Sequence, residues 1–179
     1  MRALLFAAAL ALAAWAAPAR AEVQSASASA FTITAEADVA ATPEQAYRAL
    51  TQINRWWNSA HTYSGDARRL SLDPRAGGCW CERWAGGSVE HMRVLLNMER
   101  EGVRTLRMTG GLGPLQQMGV NAVLTFTIAP HASGAKITMT YRVTGDPALA
   151  LDQVARPVEG VLLEQFGRLS RYSASGSPD

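Results

Sequence analysis

Apolar and polar side chains alternate from Phe31 to Val39, with Phe31, Ile33, Ala35, Ala37 and Val39 set against Thr32, Thr34, Glu36 and Asp38. A period of two marks a strand with one buried and one wetted face. Thr42-Pro43-Glu44-Gln45 then offers a capping residue, a proline at the first helical position and a Gln three residues after the cap, which opens a helix. Ala46, Tyr47, Leu50, Ile53 and Trp57 follow at helical spacing and give that helix one buried side. Beyond an irregular stretch from Asn58 to Asp66, short strands are predicted at Arg68–Leu72, Gly78–Trp84, Val89–Met98 and Arg104–Thr109. The gaps between them hold turn formers: Asp73-Pro74-Arg75, Ala85-Gly86-Gly87 and Glu101-Gly102. The clearest alternation comes late. Val120, Ala122, Leu124, Phe126 and Ile128 make one strand, Ile137, Met139, Tyr141 and Val143 the next, and Pro130 to Gly134 the loop between them. A long helix is expected from about Leu149 to Tyr172, with Val154, Val158, Val161, Leu162, Phe166 and Leu169 on one side and Pro157 kinking it or marking where its regular part begins.

The order is therefore strand, helix, about six strands, long helix. Alternating strands imply an antiparallel sheet with one covered face, and only the two helices can cover it. A sheet curled around the last helix leaves space wherever side chains fail to fill it.

The first 21 residues stand apart. Arg2 precedes a Leu/Ala/Phe run from Ala3 to Ala17, and Pro18 and Ala19-Arg20-Ala21 come before Glu22. A positive start, a short apolar core and an A-x-A site predict a secretory leader cut after Ala21 and a periplasmic or secreted product. The run is short for a membrane span, so no integral anchor is expected. Residues 22–30 are small and polar and are expected to be a loose lead-in; residues 31–172 form one domain, and Ser173–Asp179 a disordered tail. The whole chain carries 17 Lys and Arg against 15 Asp and Glu. Arg2 and Arg20 leave with the leader and no acid does, so 15 bases face 15 acids in the remainder. A neutral surface without a basic run gives no footprint for nucleic acid and no polybasic membrane patch.

All four tryptophans outside the leader fall within residues 56–84: Trp56, Trp57, Trp80 and Trp84. Large aromatics around a carboxylate, Glu82, suggest an apolar pocket with a few polar groups in it. As a strand, Gly78–Trp84 sets Trp80, Glu82 and Trp84 on one face and Cys79, Cys81 and Arg83 on the other.

These features together resemble a known family. Thr-Pro-Glu-Gln-Ala-Tyr opening the first helix, Trp56-Trp57 near its end, and Gly77-Gly78-x-Trp80-x-Glu82 on a strand are similar to the START-like, or SRPBCC, superfamily, and most of all to its polyketide-cyclase/dehydrase and heat-shock-protein ATPase activator-like branch. The resemblance covers about Phe31 to Tyr172. It implies an α+β helix-grip fold, a seven-stranded antiparallel sheet wrapped around the C-terminal helix over an apolar cavity. It also implies a hydrophobic small molecule or lipid as partner; a minority of members catalyse cyclisation or dehydration. The co-chaperone role belongs to the cytosol and is not expected of an exported chain. No catalytic residue can be carried over, because cavity residues differ among members.

Within that frame Trp56, Trp57, Trp80 and Trp84, with Phe126, Tyr141 and Phe166, are expected to wall the cavity. Glu82 between indoles should have a raised pKa, as a general acid or a ligand anchor would; a structural pairing with Arg93 or Arg104 is the alternative. His91 and Arg93 alternate on the next strand and either face of it could point inward. His91 is a candidate acid/base or polar contact, or simply a satisfied strand histidine. His61 could line the entrance, and His131 should be solvated. Three scattered histidines lack metal-ligand spacing, so neither metal nor other cofactor is expected. Cys79 and Cys81 point to one side of a strand at about 6.6 Å, near the limit for a bridge. A strained bridge ranks first, free thiols second, redox or metal function third. Thr109 to Leu115 suits a mobile flap, with Leu112, Leu115 and Met118 touching ligand, or a plain hairpin connection; it lacks the Lys-Ser/Thr of a phosphate loop. Three functions remain: a binding protein, an enzyme using the same cavity, and a protein-interaction module.

Overall fold

The computed structural model describes residues 20–179. Eight strands run in the order β1 (Arg20–Ser27), β2 (Ala30–Val39), β3 (Leu70–Leu72), β4 (Cys79–Trp84), β5 (Gly87–Arg100), β6 (Val103–Thr109), β7 (Asn121–His131) and β8 (Gly134–Thr144). Helices α1 (Pro43–Thr51) and the single turn α2 (Ile53–Trp56) follow β2, and α3 (Leu151–Ser175) closes the chain. All strands join one antiparallel sheet, β1-β2-β8-β7-β6-β5-β4-β3. This is the α+β helix-grip arrangement with one strand more than the seven expected.

The extra strand is the predicted lead-in. Residues 20–27 pair with Ala30–Glu36 instead of lying loose, because backbone pairing with an open sheet edge does not require apolar side chains. The Val23 amide also donates to Glu159 Oε1 of α3 at 2.7 Å. Residues 1–19 of the expected leader lie outside the described residues, and Arg20 and Ala21 open β1. The predicted tail differs too. Helix α3 continues to Ser175, and Gly176 at φ 78° turns the last residues back so that Arg171 donates to Pro178 O and Arg168 pairs with Asp179.

The capping box at α1 forms as expected, with Gln45 N–H donating to Thr42 Oγ1 and Thr42 N–H to Gln45 Oε1. Alternation in β2, β7 and β8 holds residue by residue, with the apolar set buried. Leu124, Phe126 and Met139 of the sheet come together with Leu162, Phe166 and Leu169 of α3 and with Trp56 in one core, to which Ile33 and Tyr141 also belong. Between Trp56, Phe126, Met139, Phe166 and Leu169 remains a gap of only about 10 Å³, no more than one water requires. The deep interior of the grip is thus filled by the protein's own side chains, and free space lies nearer the rim.

Replacing Phe166 by Ala should remove about 3–5 kcal/mol of stability, because the ring is fully buried and the surrounding strands cannot close over the void. Urea denaturation of the variant and the parent checks this.

Candidate functional site

One irregularity in the sheet builds the site. Along β4 the partners of Trp80 and Cys81 are Met92 and Glu90, so His91 is an extra residue bulged out of β5. A bulge re-aims a side chain. Before it the inward residues of β5 are Val89 and His91; after it they are Met92 and Val94, so His91 and Met92 are buried in succession. Both faces of the predicted strand therefore point inward, one on each side of the bulge. Opposite, Cys79 and Cys81 form a disulfide with Cα atoms 5.3 Å apart, shorter than a flat strand gives, so the bridged strand is locally contracted where its neighbour carries the extra residue.

His91 Nε2 lies 3.0 Å from Glu82 Oε2. Glu82 is fully buried. Its Oε2 also accepts the amide of Tyr63 at 3.1 Å, and Oε1 accepts the amide of Ser64 at 2.5 Å. The carboxylate thus ties β4 to β5 and to the segment after Trp57. Neither Arg93 nor Arg104 reaches it. Arg93 is exposed and binds Glu90 and Gly77 O, and Arg104 lies over the Tyr47 ring and pairs with Glu99.

The segment from Trp57 to His61 is fastened to α3. Asn58 N–H donates to Gln165 Oε1, His61 Nε2 lies 3.0 Å from Glu164 Oε2, and Trp57 Nε1 donates to His61 O. The Gly-rich connection is anchored as well. Tyr141 Oη donates to Gly110 O and accepts from Leu112 N–H, and Tyr63 Oη donates to Gly113 O across the opening. Gly110 has φ 145°, and a Cβ there would stand 2.5 Å from His91 O, so only glycine lets the connection pass so close to the bulge.

These pieces enclose a half-open pocket of about 530 Å³. Its walls are Trp57, His61, Thr62 and Tyr63, then His91, then Leu112, Gly113, Pro114 and Gln117, and on α3 Pro157, Val158, Val161 and Leu162. Of the predicted site residues, Trp57, His61, His91 and Leu112 line it. Trp80 and Glu82 stand one layer behind: Trp80 packs 4.8 Å from the Trp57 ring and 5.7 Å from the His91 ring, and its Nε1 is buried without a partner. Trp56, Phe126 and Phe166 are core, and Trp56 Nε1 donates to Ala49 O. Trp84 lies outside the pocket against the β4–β5 turn, where a Cβ on Gly87 would meet its ring at 2.4 Å. Leu115 is buried under the connection it was expected to expose, Met118 packs against the core, and Tyr141 is a buried anchor of that connection.

Sequence reasoning missed Thr62, Tyr63 and Gln117, placed Gly113 and Pro114 only as part of a flap, and treated Pro157 as a kink and Val158, Val161 and Leu162 as helix packing. Their helical spacing was visible. That the sheet does not cover this end of α3 was not, and the loop residues carry no pattern. Among the described residues, Cys79, Cys81 and Glu90 are a group whose potential metal ligands lie within 4.8 Å of one another, and its two sulfurs are bonded to each other.

A family model described as polyketide cyclase/dehydrase and lipid transport matches residues 30–174. The chain belongs to this family. Solved structures similar to this member include a protein of Rhizobium leguminosarum (18% identity, 87% of this chain and 97% of that one, TM-score 0.55). Others are from Rhodobacter sphaeroides (21% identity, 84% and 94%, TM-score 0.50) and Mesorhizobium loti (19% identity, 77% and 95%, TM-score 0.50). At these identities the likeness is one of fold. A comparison with curated proteins finds no match. This polyketide cyclase/dehydrase and lipid transport domain is a small-molecule-binding fold, and no helix among the described residues is long and apolar enough to cross a membrane.

In this member of the family the electrostatics of Glu82 reverse the expectation. Burial raises its pKa, but hydrogen bonds from Ser64, Tyr63 and His91 outweigh burial and the net shift is downward. Burial likewise lowers the His91 pKa, more than the neighbouring carboxylate raises it. The pair is therefore a charged carboxylate accepting from a neutral imidazole. A lowered pKa in the folded state stabilises the fold above the unfolded value and loses that stability as pH falls through the folded one. Both shifts have that sign, starting from ordinary values of 6.5 for His91 and 4.5 for Glu82. The melting temperature should thus fall steadily as pH drops from about 7 to about 4. Glu82→Gln should melt lower at pH 7, because the amides of Tyr63 and Ser64 and the His91 N–H lose their charged acceptor, as read by calorimetry.

Proposed function

We propose that this chain is an exported carrier or binding protein that holds a hydrophobic small molecule or lipid in the rim pocket. The observation that carries the reading is the pocket itself: about 530 Å³, within the range of small-molecule sites, with Trp57, Leu112, Pro114, Pro157, Val158, Val161 and Leu162 as its apolar surface. Such a surface exposed to water without an occupant is a standing cost that a bound apolar molecule removes. Export is supported by the leader pattern of residues 1–21 and by the Cys79–Cys81 bridge, a bond that persists in oxidising compartments.

One feature favours a second reading, a cyclase- or dehydratase-like enzyme. His91 is neutral, backed by a carboxylate and set in the pocket wall, where it could accept a proton from a bound molecule. Organic extraction of protein taken from its own cell envelope, followed by mass spectrometry, distinguishes the two: an unmodified amphiphile in stoichiometric amount supports carriage, and a substrate–product mixture supports catalysis.

Val161 faces the pocket and is only half-buried. Val161→Trp should fill part of the pocket and weaken binding of the uncharged dye Nile red by about tenfold or more, with little change in melting temperature. Unchanged dye affinity in a folded variant would remove the pocket from consideration.

A further inference from the structure

Which polar group may enter the pocket follows from the pairing behind it. The carboxylate of Glu82 can only accept, so the hydrogen between it and His91 sits on Nε2. Nδ1 of a neutral imidazole then carries a lone pair and no hydrogen. Among the described residues Nδ1 has no hydrogen-bond partner, and it is not sealed from solvent as Trp80 Nε1 is. His91 lines the pocket, Nε2 is taken by Glu82, and Nδ1 is the one polar atom of the ring left to meet an occupant. The remaining wall holds no Lys or Arg and no Asp or Glu. His61 is turned to Glu164, and the Tyr63 hydroxyl donates to Gly113 O.

We infer that the pocket selects an uncharged amphiphile whose hydroxyl or N–H donates to His91 Nδ1, and rejects carboxylate and phosphate headgroups. The inference rests on the pocket being the ligand site. An anion would find no Lys or Arg in the wall, and His61 there is already paired with Glu164. It would meet the lone pair of His91 head-on, with the Glu82 charge behind it. A phenol or alcohol satisfies the acceptor and leaves its apolar body against Trp57, Val158, Val161 and Leu162. The groups facing His91 are few. Glu82 comes from β4, Tyr63 and His61 from the loop with Glu164 of α3 behind His61, and Glu90 and Arg93 on β5 itself are exposed and paired with each other. Protonation of His91 would put a hydrogen on Nδ1 and reverse the preference.

The test compares 4-nonylphenol with its methyl ether, 4-nonylanisole, which has the same body and no donor, and with ionised laurate. Binding to the full chain is read by titration calorimetry at pH 8 and by quenching of tryptophan fluorescence. The phenol should bind about tenfold more tightly than the ether, the size of one neutral hydrogen bond, and laurate more weakly than either. His91→Phe should keep the ether's affinity and bring the phenol to within about twofold of it. At wild type the phenol's advantage should shrink as pH falls through the lowered His91 pKa. Equal binding of phenol and ether, or tighter binding of laurate, overturns the inference and leaves the pocket standing; failure of all three to bind overturns both. Should His91→Phe not fold, nitrogen NMR of the wild-type imidazole decides: a protonated Nδ1 at pH 8, or no Nδ1 shift on adding the phenol, is equally fatal.

Discussion

The rim of this molecule depends on one buried negative charge. Glu82 is wholly withdrawn from water, which would be costly for an uncompensated carboxylate. Two backbone amides and one imidazole hydrogen offset that cost, and they come from two different parts of the chain. The same three bonds therefore do structural work in two directions. They hold the loop after Trp57 against the sheet, and they orient the His91 ring and choose its tautomer. Neither arginine that might have neutralised the charge is close, so the site keeps an acceptor-rich interior without a cation. The pocket is shaped by what Glu82 gathers around it more than by any contact Glu82 makes itself.

Much of the architecture was legible in the sequence because it rests on periodicity. β2, β7, β8 and α3 each repeat a pattern over nine or more residues, and the capping box at Thr42–Gln45 has one structural meaning. Residues 20–27 were not legible as a strand, because Arg20 to Gln24 alternate for only five residues, the register shifts after Val23, and the first two positions fall in the expected leader. The end of α3 is a similar case: serines at 173 and 175 weaken the helical pattern without stopping it.

The site was legible only in part, for a reason of register. Strict alternation puts Trp80, Glu82 and Trp84 on one face, and the first two are indeed buried together. A single extra residue in β5 is invisible to a period-two argument, yet it decides that His91 and Met92 are both buried. Expecting a raised pKa for a carboxylate among indoles followed from burial alone and omitted donors that come from a loop without sequence signature. Expecting Phe126, Tyr141 and Phe166 to touch ligand assumed a hollow grip. The core there is filled, and the larger free space lies where α3, the Trp57 loop and the Gly-rich connection converge.

The bridge between Cys79 and Cys81 sits directly beside the displaced residue of β5. A sulfur link that draws in one strand is a local clamp on the spacing of its neighbour. With Cα atoms 5.3 Å apart, β4 is short at the place where β5 is one residue long. A covalent staple and an inserted residue thus occupy the same rung of the ladder, one strand away from the imidazole that reaches the pocket.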